Sequence, residues 1–281
     1  MQFLITNDDG IDAPGISAMV ETIGRYAHGR GWSTTKIWVV APDRGRSECS
    51  HSVTTSRDLI IKRVKSGWYA VDGTPVDCVR VAIACLCPQV DYVFSGINAG
   101  ANVGMDLLVS GTFAAAREAS ILGKPAMAVS HYRRPEIPKT WHHTPDWLTP
   151  TLDHFFASDL QSTIVWNVNL PALDPAGSER PKTIECPIDT TPIHRIGRLG
   201  DGNLPSVPIT WLAGAQPQNE GAQTQNETGN DDAFEPPEQH CMPVQLTSDF
   251  HGRSRQSGSD VDLCFAGNLT FSRIHPFLQM G

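Results

Sequence analysis

The sequence predicts an α/β protein: a mostly parallel β-sheet with helices on both faces, followed by a β-rich C-terminal extension. Apolar strand-like runs alternate with segments of helical spacing through residue 130, the pattern that builds a parallel sheet covered on both sides. The strand runs are apolar at nearly every position, as strands buried on both faces are. Short strand-like segments return near the end, after a stretch rich in proline and glycine.

Gln2 to Thr6 reads as the first strand. Between Pro14 and Ala27, Ile16, Met19, Val20 and Ile23 recur at helical spacing, and Pro14 suits a first helical position. Lys36 to Ala41 is a second strand, stopped by Pro42. Ser52 to Val64 and Gly67 to Val71 read as an extended pair ahead of the Asp72-Gly73-Thr74-Pro75 turn. Val76 to Leu86 follows as an apolar helix, Asp91 to Gly96 as a third core strand, Thr112 to Leu122 as an alanine-rich helix and Pro125 to Ser130 as a fourth core strand. Trp147 to Leu160 reads as a helix, and Ser162 to Leu170 as a strand closed by Pro171.

Residues 1–172 are expected to form the catalytic domain and 173–281 a C-terminal extension. Within the extension, Ala213 to Glu238 is Gln- and Asn-rich and almost without apolar residues, which predicts a flexible polar insert. Asp260 to Phe265 and Leu269 to Phe277 read as short strands.

Composition narrows the function. With 40% hydrophobic and 19% charged residues the chain is ordinary globular protein, and no apolar run reaches the length of a membrane-spanning helix. A net charge of −8 argues against a nucleic-acid duplex as partner, because duplex binding depends on clustered cations. A small phosphorylated ligand stays open, since one metal ion and a few amides neutralise it locally. The first residues lack the basic flank of a secretory signal, so a cytoplasmic location is expected. The seven cysteines are odd in number and form no CxxC pair; the ten histidines form no HExxH, and His142-His143 reads as surface.

In open α/β sheets ligands bind beyond the carboxyl ends of the strands, which singles out residues 7–10, 42–50 and 96–104. Asn7-Asp8-Asp9-Gly10 sets two carboxylates side by side, an arrangement that a Mg²⁺ or Mn²⁺ ion would neutralise and that Gly10 lets turn sharply. The same letters also spell a solvated turn capping the helix at Pro14, and on this motif alone the two readings stand level. The loop Pro42 to Ser50 gathers hydroxyls, two arginines and a glycine, and could supply a neutral metal ligand; a polar surface loop has the same composition. The run Ser95 to Gly104 holds three glycines and two asparagines, so its amides could approach an anion and an asparagine carbonyl could complete a metal shell. It matches neither the dinucleotide fingerprint nor a Walker loop. Ser110-Gly111-Thr112 opens a helix, where free amides and hydroxyls suit a phosphate, although ordinary capping uses the same residues.

Taken together these motifs resemble the SurE family, the survival-protein-E nucleotidases. The resemblance rests on Ile5 to Gly10 with Ala13 to Ile16, Val40 to Arg44 with Ser47, Gly73 to Val79, Ser95 to Gly104, Ser110 to Thr112 with Ala114 to Glu118, and Asn167 to Pro171. It implies a Rossmann-like fold with a C-terminal extension exchanged in a homodimer, or a dimer of dimers. It implies hydrolysis of nucleoside monophosphates with one divalent metal ion (Mg²⁺ or Mn²⁺) per subunit, and in some members cleavage of other phosphate esters or polyphosphate. Carried over by position, the metal ligands are Asp8, Asp9, Ser47 and Asn98, and the phosphate cradle is Asn98 with Ser110, Gly111 and Thr112; Asp8, Asp9 and Asn98 are the expected catalytic residues. Two departures bear on substrate choice: Val109 stands where the family often has tyrosine, and Glu48 where it has a small residue. A covalent mechanism of the haloacid-dehalogenase type wants an Asp-x-Asp spacing that this chain lacks. A nucleotide-binding regulatory module without chemistry is the alternative from another class.

Overall fold

The computed structural model describes residues 1–47, 49–159, 163–199 and 244–275. They fall into two compact units, one comprising Met1–Ile193 with His251–Gly281 and the other His194–Phe250.

In chain order the first unit contains β1 (Gln2–Thr6), α1 (Pro14–Gly29), β2 (Lys36–Pro42), β3 (Ile61–Lys65), β4 (Trp68–Val71) and α2 (Pro75–Val81). It continues with β5 (Tyr92–Asn98), α3 (Gly111–Ile121), β6 (Ala126–His131), α4 (Thr144–Ala157), β7 (Val165–Leu170) and β8 (Thr183–Glu185). In the second unit β9 (Ile196–Leu199) pairs antiparallel with β10 (Val244–Thr247). The chain then contributes α5 (Asp260–Phe265) and β11 (Leu269–Ile274) to the first unit.

Among the described residues nine strands make one sheet in the order β3-β4-β2-β1-β5-β6-β7-β11-β8. The central pairings from β4 to β7 are parallel, and antiparallel pairs flank them at β3–β4 and β7–β11. Alternate strand residues face opposite layers. Phe3, Ile5 and Phe94 pack with Ile16, Met19 and Ile23 of α1 and Leu148, Leu152 and Phe155 of α4. Leu4, Val40 and Val93 pack instead with Cys78 and Val79 of α2 and Phe113, Ala115, Ala116 and Ala119 of α3. This two-sided burial is the driving force behind the near-continuous apolar strands.

The order explains why motifs far apart in sequence meet. From β1 the chain winds one way through β2 and β4, then returns to place β5 on the other side of β1. The switch between β1 and β5 opens a crevice at their carboxyl ends, where the turns after β1, β2 and β5 stand side by side.

Three readings of the sequence are corrected. Asp260–Phe265 is a helix, not a strand: Ser259 caps it by accepting from Asp262 N, and Asp260 and Asp262 occupy its first turn. Val261, Leu263 and Phe265 alternate like a strand because fewer than two helical turns cannot display the longer period. The predicted helix Val76 to Leu86 is α-helical through Val81 and then widens into a π-turn over Ala82–Leu86. The pair His142-His143 is not wholly at the surface, because His143 is buried against His131 at 2.8 Å between their Nε2 atoms. The polar insert 213–238 lies outside the described residues, as does the end of the predicted strand beyond His275. Among the described residues no helix is long and apolar enough to cross a membrane.

Candidate active site

Asp8 and Asp9 follow β1 directly. Asn7 builds the turn: its side-chain nitrogen donates to Gly10 O at 2.8 Å, and its oxygen accepts from Gly10 N at 3.2 Å. The Asx geometry is therefore realised within Asn7–Gly10, and it leaves both carboxylates pointing away from it. Gly10 stands at φ +101, and a β-carbon there would come within 2.9 Å of the Arg44 carbonyl carbon, so the turn after β1 fits tightly against the loop after β2.

Each carboxylate reaches a different element. Asp8 is only 4% exposed, and its Oδ1 accepts from the Thr112 hydroxyl at 2.6 Å. Asp9 is half-buried, and its Oδ2 accepts from Ala99 N at 3.0 Å, beside Asn98 at the end of β5. The Arg46 amide donates to Asp8 O at 2.7 Å, which ties the loop holding Ser47 to the same turn. Gly111 packs on Asp8 so closely that a β-carbon would sit 2.9 Å from Asp8 Cβ and 3.0 Å from its Oδ2.

The structure thus brings Asp8, Gly111 and Thr112 into direct contact and sets Asn98 next to the Ala99 amide that holds Asp9. The Asn98 side-chain nitrogen donates to Gly100 O at 2.8 Å, which orients the amide and leaves its oxygen as the free end. Ser110 caps α3 by accepting from Phe113 N at 3.1 Å, so one of its lone pairs is committed while its proton stays available. Ser47 is exposed and lines, with Gly45, Arg46 and Cys49, a cleft of about 470 Å³. It joins the others through the main chain of Arg46, and among the described residues its side chain bonds to none of them.

The electrostatics ask for a cation. Burial, opposed by the Thr112 hydrogen bond and reinforced by the neighbouring Asp9 charge, pushes the Asp8 carboxyl up to about 6. Burial raises Asp9 as well. Among the described residues no Lys, Arg or His pairs with either. Two crowded, uncompensated carboxylates beside neutral oxygens form a hard donor set that fits a divalent ion. No group of three or more His, Cys, Asp or Glu among the described residues could hold a metal, so the rest of a shell would come from neutral donors such as Asn98 and Ser47.

A supporting network escaped the sequence reading. Asn102 N donates to Asn169 Oδ1 at 2.9 Å, Asn102 O accepts from the side chains of Asn167 and Asn169 at 3.0 Å each, and Asn102 Nδ2 donates to Ser130 Oγ at 2.7 Å. These bonds pin the glycine loop to β6 and β7. A signal was present: asparagines at i and i+2 of an apolar strand share one face and are costly there unless paired.

Residues 3–191 match the family model described as Survival protein SurE. A Synechocystis protein carrying the provisional name 5′-nucleotidase alr3139 is 35% identical over 98% of this chain and 99% of its own. The 5′-nucleotidase SurE of Neisseria meningitidis serogroup C is 42% identical over 62% of this chain and 67% of its own. In fold the chain is similar to the crystal structure of the SurE protein from Aquifex aeolicus, with a TM-score of 0.71 at 24% identity, over 100% of this chain and 95% of that one.

Proposed function

Because the chain belongs to the survival protein SurE family, we propose that it is a metal-dependent phosphomonoesterase releasing phosphate from nucleoside 5′-monophosphates. The observation that carries this reading is the Asp8–Thr112 bond, which fastens a carboxylate pair to the amino end of α3. An anion subsite then adjoins a cation subsite, the pairing that phosphoryl transfer requires.

Asp8, Asp9, Asn98 and Ser47 would hold the divalent ion, which when bound supplies a Lewis acid for the phosphoryl oxygens and for the attacking water. The chain's own residues do the rest. Amides at the start of α3, with the Ser110 hydroxyl, face the equatorial oxygens and stabilise the charge that grows there, while the one Thr112 hydroxyl proton stays on Asp8. Thr112 holds Asp8 in one rotamer, and Ala99 N does the same for Asp9. No side chain is needed as a nucleophile. The resemblance to the family further supports a homodimer or dimer of dimers working in the cytoplasm.

The test is phosphate release from 5′- and 3′-nucleoside monophosphates, sugar phosphates and polyphosphate, with Mg²⁺, Mn²⁺ or chelator, beside Asp9→Asn. Turnover of 5′-nucleotides that chelator and Asp9→Asn abolish is the expected result. Full activity of the chelated enzyme or of the variant overturns the site, and tight nucleotide binding without turnover under any metal points to a regulatory module.

A further inference from the structure

We propose that Asp260 and Arg253, from the C-terminal part of the chain, are positioning residues that set the phosphate cradle; this rests on the reading of the site given above. Between Asn98 and the cap of α3 the chain is irregular, passing through the glycine loop and a 3₁₀ turn over Gly104–Val109. Such a stretch has few internal partners for its amides and carbonyls and must find them elsewhere.

It finds them more than 140 residues away in the sequence. Asp260 Oδ2 accepts from Gly104 N at 2.8 Å, while Oδ1 accepts from Asp189 N at 2.8 Å and Val261 N at 2.9 Å. Arg253 forms an ion pair with Asp106 and donates to Val103 O at 3.2 Å. Asp189 closes the clasp from the other side: its carboxylate accepts from Ser259 Oγ at 2.6 Å, Gln256 N at 2.7 Å and Thr191 N at 2.8 Å.

The clasp bears on the site because the gripped turn runs straight into it. Ser110 N donates to Leu107 O at 3.3 Å, Ser110 caps α3, and Thr112 holds Asp8. A shift at residues 103–106 therefore moves the whole Ser110-Gly111-Thr112 cradle. Asp260 is only 1% exposed. A carboxylate that far from water is tolerated because three N–H groups meet it, and one of the three belongs to this turn.

Asp260→Asn isolates the contact. Keeping the amide oxygen on Asp189 N and Val261 N preserves two bonds and turns the NH₂ toward Gly104 N, donor against donor. Michaelis constants for a nucleoside 5′-monophosphate, competition by inorganic phosphate, the half-saturating Mg²⁺ or Mn²⁺ concentration and hydrogen exchange of amides 100–113 are compared in wild type, Asp260→Asn, Arg253→Gln and the control Arg273→Gln. The control breaks the exposed pair between Arg273 on β11 and Glu185 on β8, neither of which bonds to Asp260 or Arg253. In both clasp variants KM and the phosphate inhibition constant should rise about tenfold and the loop amides exchange faster, with the metal constant within twofold of wild type and the control unchanged. If Asp260→Asn fails to fold, Arg253→Gln carries the comparison, since it introduces no clash. KM, phosphate inhibition and loop exchange all within twofold of wild type would overturn the proposal, as would a loss confined to the metal constant or shared by the control. A wild-type protein that hydrolyses nothing overturns the functional reading instead, and the exchange data then decide the clasp alone.

Discussion

The Thr112 hydroxyl donates to Oδ1 of Asp8 at 2.6 Å, joining the end of β1 to the first turn of a helix 104 residues further on. One short bond thus couples the acidic turn to the element that would face a phosphate.

Thr112→Val keeps the side chain's shape and removes that donor. A hydrogen bond to a charged group contributes about 1.5–3 kcal/mol, so kcat/KM for a nucleoside 5′-monophosphate should fall between roughly tenfold and a hundredfold. Thr112→Ser keeps the hydroxyl and should remain within a few fold of wild type. Equal losses in the two variants would show that the methyl group, not the bond, matters.

Gly111→Ala drives a methyl group against the Asp8 side chain, whose Cβ and Oδ2 lie 2.9 and 3.0 Å from the new atom. Overpacking of this kind costs about 1–3 kcal/mol, and phosphate release should drop at least tenfold with it. Gly24→Ala, on α1 with only Ile37 Cδ1 at 4.0 Å, should leave activity intact and raise the melting temperature slightly. A Gly111→Ala protein as active and as stable as wild type would contradict the close packing.

Asp8 makes a counterintuitive stability prediction. Its folded carboxyl titrates near 6, above the unfolded value, so the folded state binds this proton more tightly. Metal-free stability from this group is full below about pH 4, declines between about 4 and 6, and is about 3 kcal/mol lower above that. Asp8→Asn should therefore melt higher than wild type in chelator at pH 7.5, with a flatter pH profile. Added Mg²⁺ or Mn²⁺ should stabilise wild type more at pH 7.5 than at pH 5 and leave the variant unmoved. Melting curves of the chelated proteins that put the variant below wild type at pH 7.5 would refute this.

The buried histidine pair works in the opposite direction. His131 Nδ1 faces Tyr132 O at 2.9 Å and so carries the proton, which leaves its Nε2 to accept from His143 Nε2. Burial lowers His143 to about 4 and lowers His131 too. Stability from the pair is whole above the unfolded histidine value, about 6.5, and is lost as pH falls from there toward 4. His143→Gln, neutral throughout, should shift the acid-unfolding midpoint downward by several tenths of a pH unit. An unchanged midpoint by circular dichroism would mean that the pair is not what acid attacks.

Much of this protein was legible in its residues alone. Apolar runs at β1, β2, β5 and β6 and the periodicity of α1 announced a parallel sheet covered on both faces, because burial on two sides leaves no room for polar alternation. The turn at Asp8-Asp9-Gly10, the loop with Ser47, the glycine run to Gly104 and the cap at Ser110 were legible only as candidate ligand segments, because all of them follow strand ends or open a helix, where open α/β sheets bind ligands. Tertiary structure alone decided how they combine. Strand order set β1 between β2 and β5 and so brought Thr112 to Asp8 and Ala99 to Asp9. It also separated His143 from the surface, made Asp260–Phe265 a helix and closed Asp260 and Arg253 around the turn before the cradle. Local periodicity carries information over one or two turns of chain, whereas these contacts span about 12 to 156 residues and depend on which strands pair.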